Sequence, residues 1–284
     1  IKYKFFFFTT KKIKSNSKQI KIITVKKFYS DISRHKKIIN NCNYFIHFAY
    51  QNSESFAEKN NETDLKINVV GLKNILECCK LNKKLLFIFF STVSLYKSSV
   101  KKVNEKSNLK ILSFYNLHKI FCENIINYYS TFSKNRFITL RLSNIYGDND
   151  LKKRDFFLNC CFSVKHNKDI TIFGNGNYLR DFLHIKDVSL ALLNILNKKI
   201  NSKLEIYNLC YGKSYSINYL IKKIISDYKK YKVVYNGNIK HLKNNSPLVN
   251  RNFLANSAKF KKEFIWKPIY NLNVGINKVI SKIA

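Results

Sequence analysis

The stretch that decides the fold reads Leu85-Leu86-Phe87-Ile88-Phe89-Phe90-Ser91-Thr92-Val93-Ser94-Leu95-Tyr96. Its first six residues are all apolar, which is typical of a β-strand buried on both faces of a parallel sheet. Further strands are predicted at residues 5–9, 20–25, 44–49 and 136–142. Helical patterns follow at residues 68–77, 113–131, 189–196 and 217–228. Because strands alternate with helices, the sequence predicts an α/β fold with a doubly wound parallel sheet.

Composition limits the class of protein. With 284 residues, of which 45% are hydrophobic, the chain is long enough to bury a core. Its apolar runs are too short to span a membrane and none has the form of a signal peptide, so we expect a soluble, cytoplasmic protein with no membrane partner. The seven cysteines include no Cys-x-x-Cys spacing, so no metal site is predicted.

The net charge of +35 raises the possibility of a nucleic-acid partner. However, the lysines are scattered along the whole chain, whereas a nucleic-acid-binding protein tends to gather its charge in one patch. Abundant Lys, Asn, Ile, Phe and Tyr, with few Gly and Pro, indicate the codon bias of an AT-rich genome. A nucleic-acid partner is therefore not expected, although a catalytically degenerate basic protein that binds nucleic acid stays the alternative from another class.

A tyrosine and a lysine four residues apart could carry proton transfer. Tyr115 and Lys119 lie in the predicted helix 113–131, and this spacing puts both side chains on one helix face. An ammonium group near a phenol favours the phenolate and so lowers its pKa. A tyrosine tuned in this way can take a proton from a sugar hydroxyl. The spacing alone is weak evidence, because the chain has 18 tyrosines and many lysines.

The residues around this pair make the signal specific. Thr92 directly follows the strand predicted at 85–91 and so lies at its carboxyl end, where ligands of open α/β sheets bind. With Thr92, Tyr96, Tyr115 and Lys119 in this order, the chain resembles the extended short-chain dehydrogenase family, and within it the NAD-dependent, UDP-glucose 4-epimerase-like sugar-nucleotide epimerases and dehydratases. The resemblance implies that Thr92, Tyr115 and Lys119 are the catalytic residues.

The resemblance also implies a cofactor site. Residues 45–49 look like the strand whose end lies beside the cofactor, residues 30–32 like the segment that contacts the adenine, and residues 68–71 like the Asn-x-x-Gly that opens the next helix. The residues thereby implied to contact NAD are Asp31, Ile32, Phe48, Ala49, Asn68, Tyr115 and Lys119. NADP is not excluded, because no acidic residue for the ribose is found near residues 9–12.

Two later blocks imply a sugar-nucleotide substrate. Residues 141–147 resemble the Arg-x-x-Asn-x-Tyr-Gly that closes the cofactor half, and residues 174–188 resemble Gly-x-Gly-x-x-x-Arg-Asp-Phe-x-x-Val-x-Asp-Val. The implied substrate-binding residues are Thr92, Asn144, Arg180 and Arg251. We therefore expect a Rossmann-like NAD-binding domain at 1–147 and a smaller C-terminal α/β substrate domain at 148–284. A homodimer through the helix that carries Tyr115 is usual in such enzymes.

The sequence departs from the family at its beginning. The family opens with a first strand and a Gly-x-x-Gly-x-x-Gly loop, whose N–H groups hold the cofactor pyrophosphate, but the first glycine of this chain is Gly71. Residues 1–10 would then correspond to the second strand of the family. We accordingly predict that the first strand and the glycine loop are missing, so the chain is either an N-terminally truncated fragment or a degenerate product with poor NAD binding.

The resemblance implies 4-epimerisation of a UDP-sugar by transient oxidation, with Tyr115 as the base. Dehydratases of the family have Asp-Glu directly after the threonine, whereas this chain has Val93 and Ser94. A UDP-glucuronate decarboxylase needs no such pair and stays an alternative, as does another dehydratase or reductase of the family.

Overall fold

The computed structural model describes residues 4–9, 14, 16–24, 28–80, 82, 84–147, 155–243 and 249–283. The chain divides into two compact units. The first consists of Ile1–Phe90, Ser113–Thr139 and Ile200–Glu205, and the second of Ser91–Leu112, Leu140–Lys199 and Ile206–Ala284. Because the units are interleaved along the chain, they do not map one to one onto the ranges 1–147 and 148–284. Those ranges stay a prediction about where cofactor and substrate bind.

The central sheet has the strand order β3-β4-β5-β9. Its strands are β3 (Tyr44–His47), β4 (Leu86–Thr92), β5 (Arg136–Leu142) and β9 (Leu204–Leu209). β3 and β4 are parallel, with Tyr44 opposite Leu86. The first six residues of β4 are buried, as predicted for a strand covered on both faces.

The strands β1 (Phe5–Thr9) and β2 (Ile20–Thr24) are parallel partners, with Phe5 opposite Ile20. In the part of the chain that the structure describes, these two strands form a sheet of their own. Both predicted strands are therefore present, except that Val25 lies outside the described residues. The parallel α/β arrangement is confirmed, whereas the predicted absence of a first strand is not shown.

The helices of the first unit pack around a core of its own. They are α1 (Phe28–Asp31), α2 (Lys36–Asn40), α3 (Glu54–Lys59), α4 (Asn61–Leu65), α5 (Gly71–Cys79) and α6 (Phe114–Phe132), with a 3₁₀ turn at Ile32–His35 and a π-helical turn at Lys66–Val70. The core includes Ile32, Ile39, Leu72, Ile75, Phe87, Phe89, Cys122 and Ile126. The helix predicted at 68–77 thus begins inside the π-helical turn.

The second unit contains two small sheets. One has the order β10-β8-β6, from β10 (Ser214–Ser216), β8 (Leu179–His184) and β6 (Asn144–Tyr146); the other pairs β7 (Ile170–Phe173) with β11 (Ile239–Leu242) in parallel. The helices are α7 (Phe156–Lys165), α8 (Ile185–Leu196), α9 (Ile217–Tyr228), α10 (Ala258–Phe264) and α11 (Leu272–Ile283), with 3₁₀ turns at Val93–Leu95 and Lys229–Tyr231.

The core of the second unit depends on a glycine. Tyr146 is 1% exposed and packs in this core, and a Cβ atom on Gly275 of α11 would lie only 1.9 Å from the Tyr146 hydroxyl oxygen. A side chain at position 275 would therefore displace Tyr146. Among the described residues, none of the helices combines the length and the apolar character that crossing a membrane requires.

Candidate active site

The predicted pair Tyr115 and Lys119 lies at the beginning of α6. The helix starts because the Ser113 side chain accepts a hydrogen bond from the Asn116 N–H, which satisfies a donor that the first turn leaves open. Tyr115 and Lys119 are one helical turn apart, and the Lys119 Nζ atom lies 5.9 Å from the centroid of the Tyr115 ring. The structure therefore brings the two side chains together.

The Lys119 ammonium group is buried within the first unit. Its side chain is almost fully enclosed, and Nζ donates a hydrogen bond of 2.6 Å to the Phe90 carbonyl oxygen of β4. Burial lowers the pKa of Lys119 to about 7, because leaving water disfavours the charged form, and the nearby Cys122, Glu123 and Asp64 oppose this shift only in part. Lys119 can therefore change its charge near neutral pH.

Thr92 belongs to the second unit, where it is the last residue of β4. Its side chain caps the 3₁₀ turn that follows, since Oγ1 accepts the Ser94 N–H at 3.1 Å. The same oxygen atom lies 3.1 Å from the Ser94 Oγ, to which it donates. Thr92 is half-buried, so its hydroxyl sits at the carboxyl end of a buried strand, as predicted.

Asn68 acts on the segment that follows β3. It is fully buried, its Oδ1 accepts the Gln51 N–H at 2.8 Å, and its Nδ2 donates to the Gln51 carbonyl at 3.1 Å. Within this segment the Phe48 ring is 59% exposed and stacks on Phe90 with centroids 4.8 Å apart, while Ala49 is half-buried. Asn68 thus fixes the main chain beside the two residues predicted to contact the cofactor.

Asp31 and Ile32, predicted to contact the adenine, differ in their surroundings. Asp31 ends α1, is half-buried and accepts a long hydrogen bond of 3.4 Å from Ser30. The Ile32 side chain is 0% exposed and belongs to the core of the first unit. Any contact of Ile32 with a cofactor would therefore have to come from its main chain.

The two predicted substrate arginines meet in the second unit. Arg180 of β8 donates from Nη1 to the Arg251 carbonyl oxygen, and both guanidinium groups lie over the Phe253 ring, at 4.4 Å for Arg180 and 4.7 Å for Arg251. Arg251 is 4% exposed, and its Nη2 donates to the Ser94 and Tyr96 carbonyls at 2.8 and 3.0 Å. Arg180 is half-exposed and so is the more accessible of the two.

Asn144 opens β6 and is exposed. The turn before β8 contains Gly174 and Gly176, whose φ angles are +78° and +71°. This is the left-handed region that favours glycine, so the Gly-x-Gly of the predicted motif forms a turn.

Sequence reasoning missed a buried network beside Tyr96. The Tyr96 hydroxyl donates to Asn208 Oδ1 at 2.7 Å and accepts from Arg141 Nη1 at 2.9 Å. The Glu105 carboxylate accepts the Asn208 N–H at 2.8 Å. The network joins residues up to 112 positions apart, so no local pattern in the sequence could have shown it.

Comparisons with known proteins agree with the resemblance. The model of the NAD dependent epimerase/dehydratase family matches residues 2–210. A Methanocaldococcus jannaschii protein that carries the provisional name UDP-glucose 4-epimerase is 31% identical over 240 residues, which is 83% of this chain and 75% of that protein. The chain therefore belongs to the NAD dependent epimerase/dehydratase family, a family of enzymes.

Solved structures show the same fold. The Thermotoga maritima UDP-glucose 4-epimerase with UDP-glucose superposes with a TM-score of 0.87 at 20% identity, covering 99% of this chain and 91% of that chain. The Thermus thermophilus UDP-glucose 4-epimerase in complex with NAD gives 0.82 at 17% identity, covering 93% and 85%. Because the family match begins at residue 2 and the first of these structures covers nearly the whole chain, the predicted N-terminal truncation finds no support here.

Proposed function

We propose that this chain is an NAD-dependent sugar-nucleotide epimerase that inverts C4 of a UDP-sugar by transient oxidation. The observation that carries the proposal is the buried Lys119 ammonium next to the Tyr115 ring, in a chain that belongs to this family. The names of the three similar proteins, all of which contain UDP-glucose 4-epimerase, support the substrate class.

In the proposed reaction, Tyr115 removes the proton from the sugar 4-hydroxyl. Charged Lys119 stabilises the phenolate that accepts this proton, and the proton returns to the sugar oxygen when the new stereocentre forms. Bound NAD would supply the hydride acceptor and donor, so the cycle has no net redox change. Thr92, whose hydroxyl lies at the end of β4, is the third proposed catalytic residue and would hold a sugar hydroxyl by a hydrogen bond.

The residues after Thr92 favour epimerisation over dehydration. Elimination of water needs an acid and a base near the ring, and carboxylates usually supply them. In this chain the two positions after Thr92 are Val93, which is buried, and Ser94, whose hydroxyl oxygen accepts a hydrogen bond from Thr92. Decarboxylation of a UDP-glucuronate needs no such pair and is the alternative that the activity test must separate.

For the cofactor, the first unit offers groups that fit a nicotinamide nucleotide. Phe48 is an exposed aromatic residue that stacks on Phe90 of β4. Lys119, one helical turn from Tyr115, donates a hydrogen bond to the carbonyl oxygen of the same Phe90. NAD is the proposed cofactor, with contacts from Asp31, the Ile32 main chain, Phe48, Ala49 and the segment that Asn68 fixes. Residues 1–70 contain no glycine, so a glycine-built cradle for the pyrophosphate is not among the groups they offer.

For the substrate, Arg180 is the proposed pyrophosphate ligand. A planar guanidinium that is always charged suits a pyrophosphate, and Arg180 is half-exposed. Asn144, which is exposed on β6, is a second proposed contact. Arg251 already donates to the Ser94 and Tyr96 carbonyls, so its proposed contribution to binding is to hold the main chain of the turn that follows Thr92.

A homodimer through α6 is also proposed. Phe121, Tyr128 and Phe132 form an exposed aromatic stripe on this helix, at the i, i+7 and i+11 spacing of one face, and Tyr128 and Phe132 are 61% and 71% exposed. A groove of about 240 Å³ lies beside the stripe and is lined mainly by α4 and α6. Tyr128→Lys combined with Phe132→Lys should halve the mass measured by light scattering, and an unchanged mass would refute this interface.

The proposed reaction is tested by incubating the purified chain with NAD and UDP-glucose and following UDP-galactose by chromatography. UDP-glucuronate is assayed in parallel for carbon dioxide release, which would point to the decarboxylase. Tyr115→Phe should reduce kcat by at least about a hundredfold, because general base catalysis of this kind contributes 10² to 10⁴. The matched control is Tyr231→Phe, at an exposed tyrosine outside both the proposed site and the proposed interface, which should keep its activity. Turnover that survives Tyr115→Phe would overturn the assignment.

A further inference from the structure

An aromatic residue, Tyr50, lies against both Lys119 and the proposed base Tyr115. Tyr50 lies in the segment after β3, next to Gln51, whose main chain Asn68 holds. The face of its ring lies under the Lys119 ammonium, with Nζ only 3.3 Å from the ring centroid. The Tyr115 ring meets Tyr50 edge to face, with centroids 6.0 Å apart at 87°. Tyr50 therefore contacts both members of the proposed catalytic pair.

We propose that Tyr50 is the positioning residue of the Tyr115–Lys119 pair: its ring holds the Lys119 ammonium in a charged state and keeps the Tyr115 ring beside it. This inference rests on the proposed function for its catalytic meaning. The contacts themselves lie within the first unit and do not depend on a substrate.

The chemistry of the contact supports this role. A cation over the face of an aromatic ring is attracted by the ring quadrupole, and the attraction is largest where water is excluded. Lys119 has lost nearly all of its water, and the Phe90 carbonyl is its closest hydrogen-bond acceptor in the structure. The Phe89 ring, 4.8 Å from Nζ, is a second aromatic neighbour but is farther away. The Tyr50 ring therefore replaces part of the lost hydration.

Other titratable groups also face Lys119, and three of them, Cys122, Glu123 and Asp64, act against the lowering of its pKa. Those that face it are Asp64 from α4, Cys122 and Glu123 from α6, Tyr115 from α6, His47 from β3 and Tyr50 itself. Asp64 is within 2.6 Å of the His118 Nδ1 atom and so is already engaged. Burial, together with Lys119, lowers the pKa of His47 to about 3, so His47 adds no positive charge near neutral pH.

The Tyr50 hydroxyl is not part of the proposed role. Burial, with smaller effects from Cys122, Tyr115 and Asp64, raises the pKa of Tyr50 well above its usual value, so Tyr50 does not compete with Tyr115 as a base. Its oxygen has no hydrogen-bond partner among the described residues. Removing the Tyr50 hydroxyl should therefore leave the titration midpoint of Lys119 unchanged, whereas removing the ring should lower it.

This difference defines the experiment. Protein labelled with ¹³C at the lysine ε-carbon is titrated by NMR between pH 5 and 11, roughly from below to above the expected midpoint, and the Lys119 resonance is identified by its absence from Lys119→Met. Tyr50→Leu should lower the Lys119 midpoint by about one pH unit, the size of shift a neighbouring interaction typically causes. Tyr50→Phe, the matched control, should leave the midpoint within about 0.3 units. If Tyr50→Leu does not fold, Tyr50→Met takes its place, because Met fills irregular space without a ring face.

Two results would overturn the inference: a midpoint that Tyr50→Leu leaves unchanged, or a shift as large in Tyr50→Phe as in Tyr50→Leu. In the assay with UDP-glucose, the basic limb of kcat against pH should move down with the Lys119 midpoint in Tyr50→Leu, while KM for the sugar nucleotide changes by less than about threefold. The NMR titration needs no substrate. If Tyr50→Leu lowers the Lys119 midpoint but the wild-type chain shows no turnover, the proposed function is rejected and the inference about Tyr50 is kept.

Discussion

The first prediction concerns Arg251, whose hydrogen bonds to the main chain favour a structural role, whereas its sequence motif implies contact with the substrate. Arg251 Nη2 donates to the Ser94 carbonyl at 2.8 Å and to the Tyr96 carbonyl at 3.0 Å, and the side chain is buried. Arg251→Met keeps an apolar stem of similar length against Phe253 but removes both hydrogen bonds. Since hydrogen bonds to charged groups contribute about 1.5–3 kcal/mol each, we expect the free energy of unfolding to fall by about 3 to 6 kcal/mol.

The measurement is urea denaturation followed by tryptophan fluorescence. Trp266 is the only tryptophan of the chain and is buried, and it belongs to the second unit, as Arg251 does. The signal therefore reports on the unit that the substitution changes. Lys262→Met supplies the matched control, because Lys262 is exposed and lies in the second unit, on which the signal reports. Its expected effect is within about 0.5 kcal/mol, as for most surface substitutions.

The opposite outcome would refute the reasoning. If Arg251→Met unfolds at the same urea concentration as the wild type while KM for a UDP-sugar rises, Arg251 is a direct substrate ligand and its bonds to the main chain are incidental. If stability falls and KM changes little, Arg251 fastens the turn after Thr92. Arg180 would then be the main phosphate-binding arginine of the two.

Three further predictions follow from the first unit. The pKa of Lys119 in the folded chain is lowered to about 7, so between that pH and the usual lysine pKa the unfolded chain binds more protons than the folded chain. In this window the free energy of unfolding of the wild type should therefore rise with pH, relative to Lys119→Met, by about 1.4 kcal/mol per pH unit. Urea denaturation measures this difference, with Lys73→Met as an exposed control, and parallel pH profiles for the wild type and Lys119→Met would contradict the prediction. Asn68→Ala leaves the Gln51 N–H and C=O without their partner and should lower the free energy of unfolding by about 2 kcal/mol, whereas Asn201→Ala at an exposed site should not. Since residues 1–70 offer no glycine-built pyrophosphate cradle, purified protein should lose NAD on dialysis and need it in the assay; one equivalent of retained NAD, measured by absorbance after denaturation, would contradict this.

The sequence was most informative where one local pattern decides the outcome. The apolar run 85–90 is buried in β4, because a strand covered on both faces must be apolar throughout. The helix predicted at 113–131 is observed at Phe114–Phe132, shifted by one residue because Ser113 serves as the cap. Tyr115 and Lys119 meet as predicted because helix geometry alone brings residues four apart together.

The partners of these residues could not be predicted in the same way. Tyr50 meets Lys119, Asn68 meets Gln51 and Tyr96 meets Asn208 only after distant segments have packed. Asn68 is an example: its motif implied contact with a cofactor, whereas in the structure both polar groups of its side chain bind the Gln51 main chain. A position in a motif predicts where a residue lies better than it predicts what the side chain touches.

The arginines show why a rare residue type still carries information in a chain with this charge. The sequence has six arginines among 52 basic residues. Of the five that the structure describes, four donate to main-chain carbonyls: Arg136, Arg141, Arg180 and Arg251. A guanidinium presents five N–H donors in a rigid plane and so can join several carbonyls at once, whereas an ammonium is a compact, strongly hydrated charge. Arg251 uses one nitrogen for two carbonyls, an arrangement that lysine at this position could not reproduce together with stacking on Phe253. These four arginines therefore stabilise the main chain through hydrogen bonds. Whether any of them also binds phosphate has to be tested for each residue separately.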